Sequence, residues 1–231
     1  SGFIAIGAAN RRFYLRRGVR PERVVEGFYC VENERFERSA DERQAGRAEG
    51  RRRWGVPAEA VCFLFCGKFE PKKRPMDLLR ALAANAHSAA RCAHLLMVGD
   101  GELRAECEGY AREHRLPVTF AGFLNQGQLP GAYATADCLV LPSDHGETWG
   151  LVVNEAMACG LPAITSDRVG CHPDLILPGV TGQTFPCGDV AALAETMRRL
   201  AADPVALRAM GARAREHIRG YSIDALVEGT M

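Results

Sequence analysis

The 231-residue sequence predicts a doubly wound, Rossmann-like α/β fold, a parallel sheet with helices on both faces. Three observations predict it. Short apolar runs such as Val61–Cys66, His94–Val98 and Cys138–Leu141 lack the alternation of a half-exposed strand, so they belong to a sheet buried on both sides. Helix-periodic stretches separate them. Several runs end in glycine or proline, where a chain leaves its sheet.

Phe3–Gly7 reads as a strand, Asn10–Arg17 as a basic helix stopped at Gly18, and Val24–Val31 as a second strand. Glu32–Arg53 is charged and poor in apolar residues, which suits a surface helix or a linker. From residue 61 the alternation becomes regular. Val61–Cys66 is a strand, Asp77–Arg91 a helix and His94–Val98 a strand. Glu102–Arg115 follows as a helix, Val118–Phe120 as a short strand and Gln126–Thr135 as a helix. Cys138–Leu141 is a strand, Leu151–Cys159 a helix ended by Gly160 and Pro162, and Ala163–Thr165 a strand. Extra helices, Val190–Ala202, Pro204–Arg219 and Ser222–Met231, close the chain.

Composition narrows the function classes. A formal charge of +1 gives no global attraction for nucleic acid. No run reaches the roughly 18–20 apolar residues that span a bilayer, and Phe3–Ala9 is too short for a signal peptide. The expectation is a cytoplasmic protein. A start at Ser1 suggests a piece excised from something longer. Between Arg11 and Arg53 stand 13 arginines against 8 acidic residues. This surplus fits either a solvated face or peripheral contact with anionic lipid at the inner face of a membrane, or with a phosphorylated acceptor. The nine cysteines are scattered and odd in number, as for buried thiols in a reducing compartment. Cys62 and Cys66 have no second pair at zinc-like spacing, so no metal site is expected.

The chemistry concentrates in two stretches. Glu147 lies in the loop after the strand Cys138–Leu141, and Glu155 lies within the helix that follows. The amides at that helix start suit a phosphate, and two flanking carboxylates suit hydroxyl groups, so the pocket fits a sugar nucleotide. The second stretch, Gly67 to Pro75, follows a buried strand and carries Lys68, Lys72, Lys73 and Arg74, point charges for a diphosphate. Val98-Gly99-Asp100-Gly101 lacks the third glycine of a dinucleotide fingerprint, and Asp100 would repel a pyrophosphate, so it reads as a tight turn. Phe120-Ala121-Gly122-Phe123-Leu124 fits either main-chain contact with a base or simple packing. Cys171, His172 and Asp174 are too close in sequence to face one another as a nucleophilic site. No Asp-x-Asp pair occurs, so lysines and helix amides would have to neutralise a leaving diphosphate without a metal or other cofactor.

Pro142-Ser143, followed by Glu147-x7-Glu155 and Ala156 to Pro162, resembles the donor-binding motif of family 4 glycosyltransferases, which have the two-domain GT-B fold. Gly67-Lys68 and Lys73 resemble the diphosphate loop of that family, and Val98–Gly101 and Val118–Gly122 match further landmarks in order and spacing. The resemblance covers residues 20 to 230 and implies the C-terminal, donor-binding half of a retaining glycosyltransferase acting on a nucleoside-diphosphate sugar, UDP- or GDP-linked. It implies that Glu155 holds the ribose, Glu147 meets the donor sugar, and Lys68 and Lys73 stabilise the diphosphate. Amides of Thr148, Trp149, Gly150, Leu151 and Val152 would bind sugar and phosphates, and Phe123 and Leu124 would lie near the base.

Departures from the family pattern are Lys68 where arginine is common, Arg74-Pro75 in place of a glycine, and Trp149 where a smaller aromatic is frequent. That tryptophan is expected to narrow the sugar pocket. Residues 1–33 would be the tail of an N-terminal acceptor domain plus linker, and residues 34–231 the donor domain. The final helix would cross back to that acceptor domain, which is otherwise missing. Such a half is expected to bind donor weakly and to turn over nothing alone. A sugar-nucleotide epimerase, a phosphorylase and a catalytically silent binding module are the alternatives.

Overall fold

The computed structural model describes residues 2–41, 43–85 and 93–230. Its main sheet has six parallel strands: β3 (Val61–Cys66), β4 (Ala93–Val98), β5 (Val118–Gly122), β6 (Cys138–Leu141), β7 (Ala163–Ser166) and β8 (Gly182–Phe185). Their order is β5-β4-β3-β6-β7-β8, so the winding reverses between β3 and β6. That reversal opens a crevice beyond the carboxyl ends of the two strands, where doubly wound sheets bind ligands. Phe63 pairs with Cys138 and Leu64 with Leu139 across it.

The apolar runs have the expected cause. Every residue of β3 is buried, with Cys62, Leu64 and Cys66 in one core and Val61, Phe63 and Phe65 in the other. The first core is covered by helices that include α2 (Asn33–Asp41), α6 (Leu129–Thr135), α7 (Leu151–Ala158) and α10 (Pro204–Ile218). The second is covered by α4 (Pro75–Ala84), α5 (Arg104–Glu113) and α9 (Val190–Ala202).

The charged stretch ahead of β3 forms two helices, α2 and α3 (Arg43–Arg53), and part of its charge is internal. Arg51 is buried and donates to the carbonyls of Pro57, Ala58 and Ala60 at 2.8 to 3.0 Å. It also reaches Asp137 Oδ2 at 2.7 Å, while Arg47 takes Oδ1 at 2.6 Å. The Cys62 amide donates to the same carboxylate at 2.8 Å, and the Asp137 amide donates back to the Cys62 carbonyl. Neither arginine belongs to a purely solvated face.

Some boundaries move. The second strand, β2 (Val24–Gly27), stops short of Val31, and α6 starts at Leu129 because the Asn125 side chain accepts from the Gly127 and Gln128 amides in a turn ahead of it. The end of the expected helix Asp77–Arg91 lies outside the described residues. Two unpredicted elements appear, α8 (His172–Leu175) and β8. The described cysteines are free thiols, with Cys62, Cys66, Cys138 and Cys159 buried; Cys92 lies outside the described residues.

The first strand, β1 (Phe3–Ile6), pairs in parallel with β2 in a sheet of its own, joined by α1 (Gly7–Arg16). The last helix, α11 (Ile223–Thr230), packs against β2. Side-chain contacts among the described residues fasten this unit to the main domain. Ala8 N–H donates to both oxygens of Asp174, Asn154 Nδ2 donates to the Tyr29 carbonyl, and Phe28 meets Tyr221 edge to face. Among the described residues no helix is long and apolar enough to cross a membrane.

Asp137→Ala leaves the Arg51 guanidinium buried without its carboxylate, and this should cost about 3–5 kcal/mol. Urea unfolding of the two proteins measures the difference, and a loss within about 0.5 kcal/mol, as at ordinary surface positions, would show that the clamp is dispensable.

Candidate active site

The loops after β3 and β6 face each other across the crevice and are tied by main chain. The Asp144 amide donates to the Lys72 carbonyl at 2.8 Å. The basic loop folds as one turn, Pro71–Lys73, with Arg74 left-handed at the start of α4 and bonded to Asp77 at 2.6 Å. The Lys73 side chain runs beside Gly67 and ends in an ion pair with Glu147. Ser143 Oγ donates to the same Glu147 oxygen at 3.3 Å. Lys68 is exposed and has no ion pair among the described residues. The two stretches read as separate in sequence therefore meet through Lys73 and Glu147.

The glycines of the neighbouring turn have a packing cause. Gly99 sits at φ 129°, and a β-carbon there would lie 1.9 Å from the Gly67 carbonyl oxygen. The Gly99 amide donates to the Gly122 carbonyl, and Phe69 exchanges main-chain bonds with Asp100 and Leu103. Asp100 is held by Arg104 at 3.1 Å. The ends of β3, β4 and β5 are thus laced together, and the turn between Gly99 and Gly101 supports the basic loop.

Glu147 to Gly150 is braced from behind. Gly170 donates to the Glu147 carbonyl and Cys171 to that of Trp149. Gly150, at φ 99°, turns the chain into α7, which has no side-chain cap at its start, and the Gly150 carbonyl accepts from the Val153 amide at 2.9 Å. Thr148 and Leu151 are exposed there, and Val152 is half-buried. The far end of α7 closes as predicted: Gly160 is left-handed, and Leu161 donates back to Ala156.

The Trp149 side chain corrects an expectation. Its ring is 2% exposed, donates from Nε1 to Asn154 Oδ1 at 2.9 Å, and meets Tyr29 edge to face. It packs so close to Gly7 that a β-carbon there would lie 2.5 Å from the ring. The indole is core, so it does not narrow a sugar pocket, and only the main chain of Trp149 remains available to a ligand.

Glu155 lies in the second turn of α7, and its Oε2 accepts from the buried Tyr133 hydroxyl at 2.5 Å. Burial pushes its carboxyl above the usual range, while the Tyr133 hydroxyl and the charge of Arg35 pull it back. Nothing in the sequence around Tyr133 signals this contact, because the two residues lie on different helices. Phe123 and Leu124 separate: Phe123 is 76% exposed, whereas Leu124 packs in the core. Cys171 is buried, and burial holds its thiol protonated, so with Asp174 committed to Ala8 no nucleophilic site forms.

The comparisons with known proteins give the family and the fold. The family "Glycosyl transferases group 1" matches residues 46–217, and the chain belongs to that family. A D-inositol 3-phosphate glycosyltransferase of Streptomyces bingchenggensis is 33% identical over 92% of this chain. One from Saccharomonospora viridis is 34% identical over 86%. These matches cover 48% and 47% of the relatives, so the chain spans about half the length of the curated relatives it matches. Among solved structures, the sucrose-phosphate synthase of Thermosynechococcus elongatus superposes with a TM-score of 0.76 at 28% identity, over 98% of this chain and 56% of that one. Anabaena HepE in complex with UDP superposes at 0.82 and 21% identity, over 100% and 62%. The sheet is that of the GT-B glycosyltransferases.

Two outcomes follow from the geometry. Gly99→Ala combines a disfavoured backbone with a clash against the loop of Lys68, so it should cost about 1–3 kcal/mol and loosen that loop; thermal unfolding and amide exchange at Gly67–Lys73 measure both. A carboxyl whose folded pKa is raised is best tolerated while protonated. Against Glu155→Gln, wild type is therefore relatively most stable below the unfolded value of about 4.3, and it loses that advantage as pH rises through the higher folded value. Denaturant unfolding of both proteins across that range should show wild type losing stability relative to Glu155→Gln as pH rises, and a difference that does not change with pH would contradict it.

Proposed function

We propose that this chain is the donor-binding half of a retaining family 4 glycosyltransferase, taking a sugar from a UDP- or GDP-sugar to a glycan or lipid-linked acceptor. The contact between Lys73 and Glu147 carries the reading. The bond that breaks in such a reaction joins sugar to phosphate. The cation serving the diphosphate and the carboxylate serving the sugar must therefore be neighbours, as these two are.

Lys68, exposed at the rim, and Lys73 offset the charge that grows on the departing diphosphate, and the amides from Thr148 to Val152 at the tip of α7 add fixed positive dipoles. Gly67 lets the backbone come close, Glu155 binds the ribose, and Phe123 offers an exposed ring to the base. Leu124 supports it from the core. The acceptor would come from a preceding domain. Two features support that: the relatives' greater length, and the exposed Phe3, Ile4 and Val25 on a two-stranded parallel sheet, an arrangement normally covered on both faces. Residues 1–33 belong to that domain and its linker in this reading, and residues 34–231 to the donor domain.

Calorimetry of the chain against UDP, GDP and ADP should detect binding of at least one, and Lys68→Ala or Lys73→Ala should weaken it about tenfold, as for loss of a charge-assisted hydrogen bond. In the whole protein, Glu147→Ala should abolish transfer and leave nucleoside diphosphate affinity nearly unchanged. Binding of none of the three nucleotides would overturn the donor reading. Sugar transfer by this chain alone would overturn the half-site.

A further inference from the structure

We propose that Tyr133 is a positioning residue for Glu155, its hydroxyl fixing the plane of the carboxylate that receives the ribose. The inference rests on the donor-binding reading above and adds a second residue to its nucleotide end.

The geometry points one way. Tyr133 is fully buried on α6, and Phe36 of α2 meets its ring edge to face at 6.3 Å. Its hydroxyl reaches across to α7 and donates to Glu155 Oε2 at 2.5 Å. A carboxylate offers about four acceptor positions, and this bond uses one of them. Oε1 carries no hydrogen bond among the described residues, which leaves its acceptor positions for a ligand. A glutamate has three side-chain torsions, and a freely turning carboxylate would have to be ordered by each incoming nucleotide at an entropic cost. Tyr133 removes that cost beforehand.

The same bond favours the charged form of Glu155 against burial. Burial favours the neutral acid at Glu155, and a neutral acid would be a poorer acceptor for two vicinal hydroxyls. The Tyr133 hydroxyl opposes this, with Arg35 of α2 acting in the same direction. The neighbouring Cys66 thiol of β3, pushed up to about 12 by burial, stays neutral. Tyr133 is itself raised well above its ordinary value, so it remains a donor throughout.

The test compares UDP, GDP and ADP with their 2′,3′-dideoxy counterparts by calorimetry on wild type, Tyr133→Phe, Glu155→Gln and the double variant. Wild type should prefer the ribonucleotide. Tyr133→Phe should lose about tenfold of that preference and keep its dideoxynucleotide affinity within about twofold. The double variant should lose no more than Glu155→Gln alone, because the hydroxyl acts only through the carboxylate. Should the single phenylalanine variant not fold, the double variant leaves no buried carboxylate orphaned, and comparing it with Glu155→Gln still reads whether the hydroxyl acts by any route other than the carboxylate.

A purely structural tyrosine would weaken both nucleotide forms equally, and that result overturns the proposal. So does a ribose preference that survives Tyr133→Phe, or a further loss in the double variant. Wild-type binding without ribose preference removes the role of Glu155 and the proposal with it. Binding of no nucleotide at all fails the donor-binding reading first.

Discussion

The Asp137 carboxylate is the constraint on which the arrangement depends. It sits where the winding of the sheet reverses, and it ties three pieces of chain: the amide of β3, the helix α3, and, through Arg51, the turn leading into β3. Strands β3 and β6 are not consecutive, so no short loop holds their register. The ion pairs do this at the amino ends, away from the crevice. A buried pair of this kind adds little net stability, but removing one member is costly, and it specifies one pairing over others. With the lower ends pinned, the upper ends diverge, and the loops bearing Lys73 and Glu147 face each other.

Above the strands the stiffness comes from backbone meeting backbone. The loop of Lys68 rests on Gly99 and Gly101, and the loop of Glu147 rests on Gly170, each at distances that exclude a β-carbon. A site built this way has few soft torsions between sheet and charged groups, so its geometry is largely prepared before a ligand arrives. The Lys73–Glu147 pair keeps both charges compensated until then.

Much of this was legible beforehand, and the limits have physical reasons. Buried parallel strands announce themselves as continuous apolar runs, so β3, β4 and β6 needed only composition. Strand β8, Gly-Gln-Thr-Phe at the sheet edge, buries only its first and last residues and carries no such signal. Helix α8 is a single turn. That the loop carrying Glu147 and the loop carrying Lys73 follow buried strands was legible, because both strands are continuous apolar runs. Side-chain direction was not. Trp149 reads as a pocket residue from its neighbours, and only the Asn154 acceptor and the space left by Gly7 explain why it turns inward. Tyr133 has a core residue's periodicity, and nothing local reveals that its hydroxyl meets Glu155. Arg51 likewise looks solvated until Asp137, far along the chain, is brought beside it.

The inward Trp149 has one more consequence. Its ring touches Gly7 at the root of α1, its nitrogen holds Asn154, and Asn154 in turn holds the Tyr29 carbonyl. The residue next to Trp149 is Gly150, where α7 begins. The small N-terminal sheet and the amide tip of α7 therefore share one rigid strut, and a rotation of that sheet cannot leave the tip where it stands.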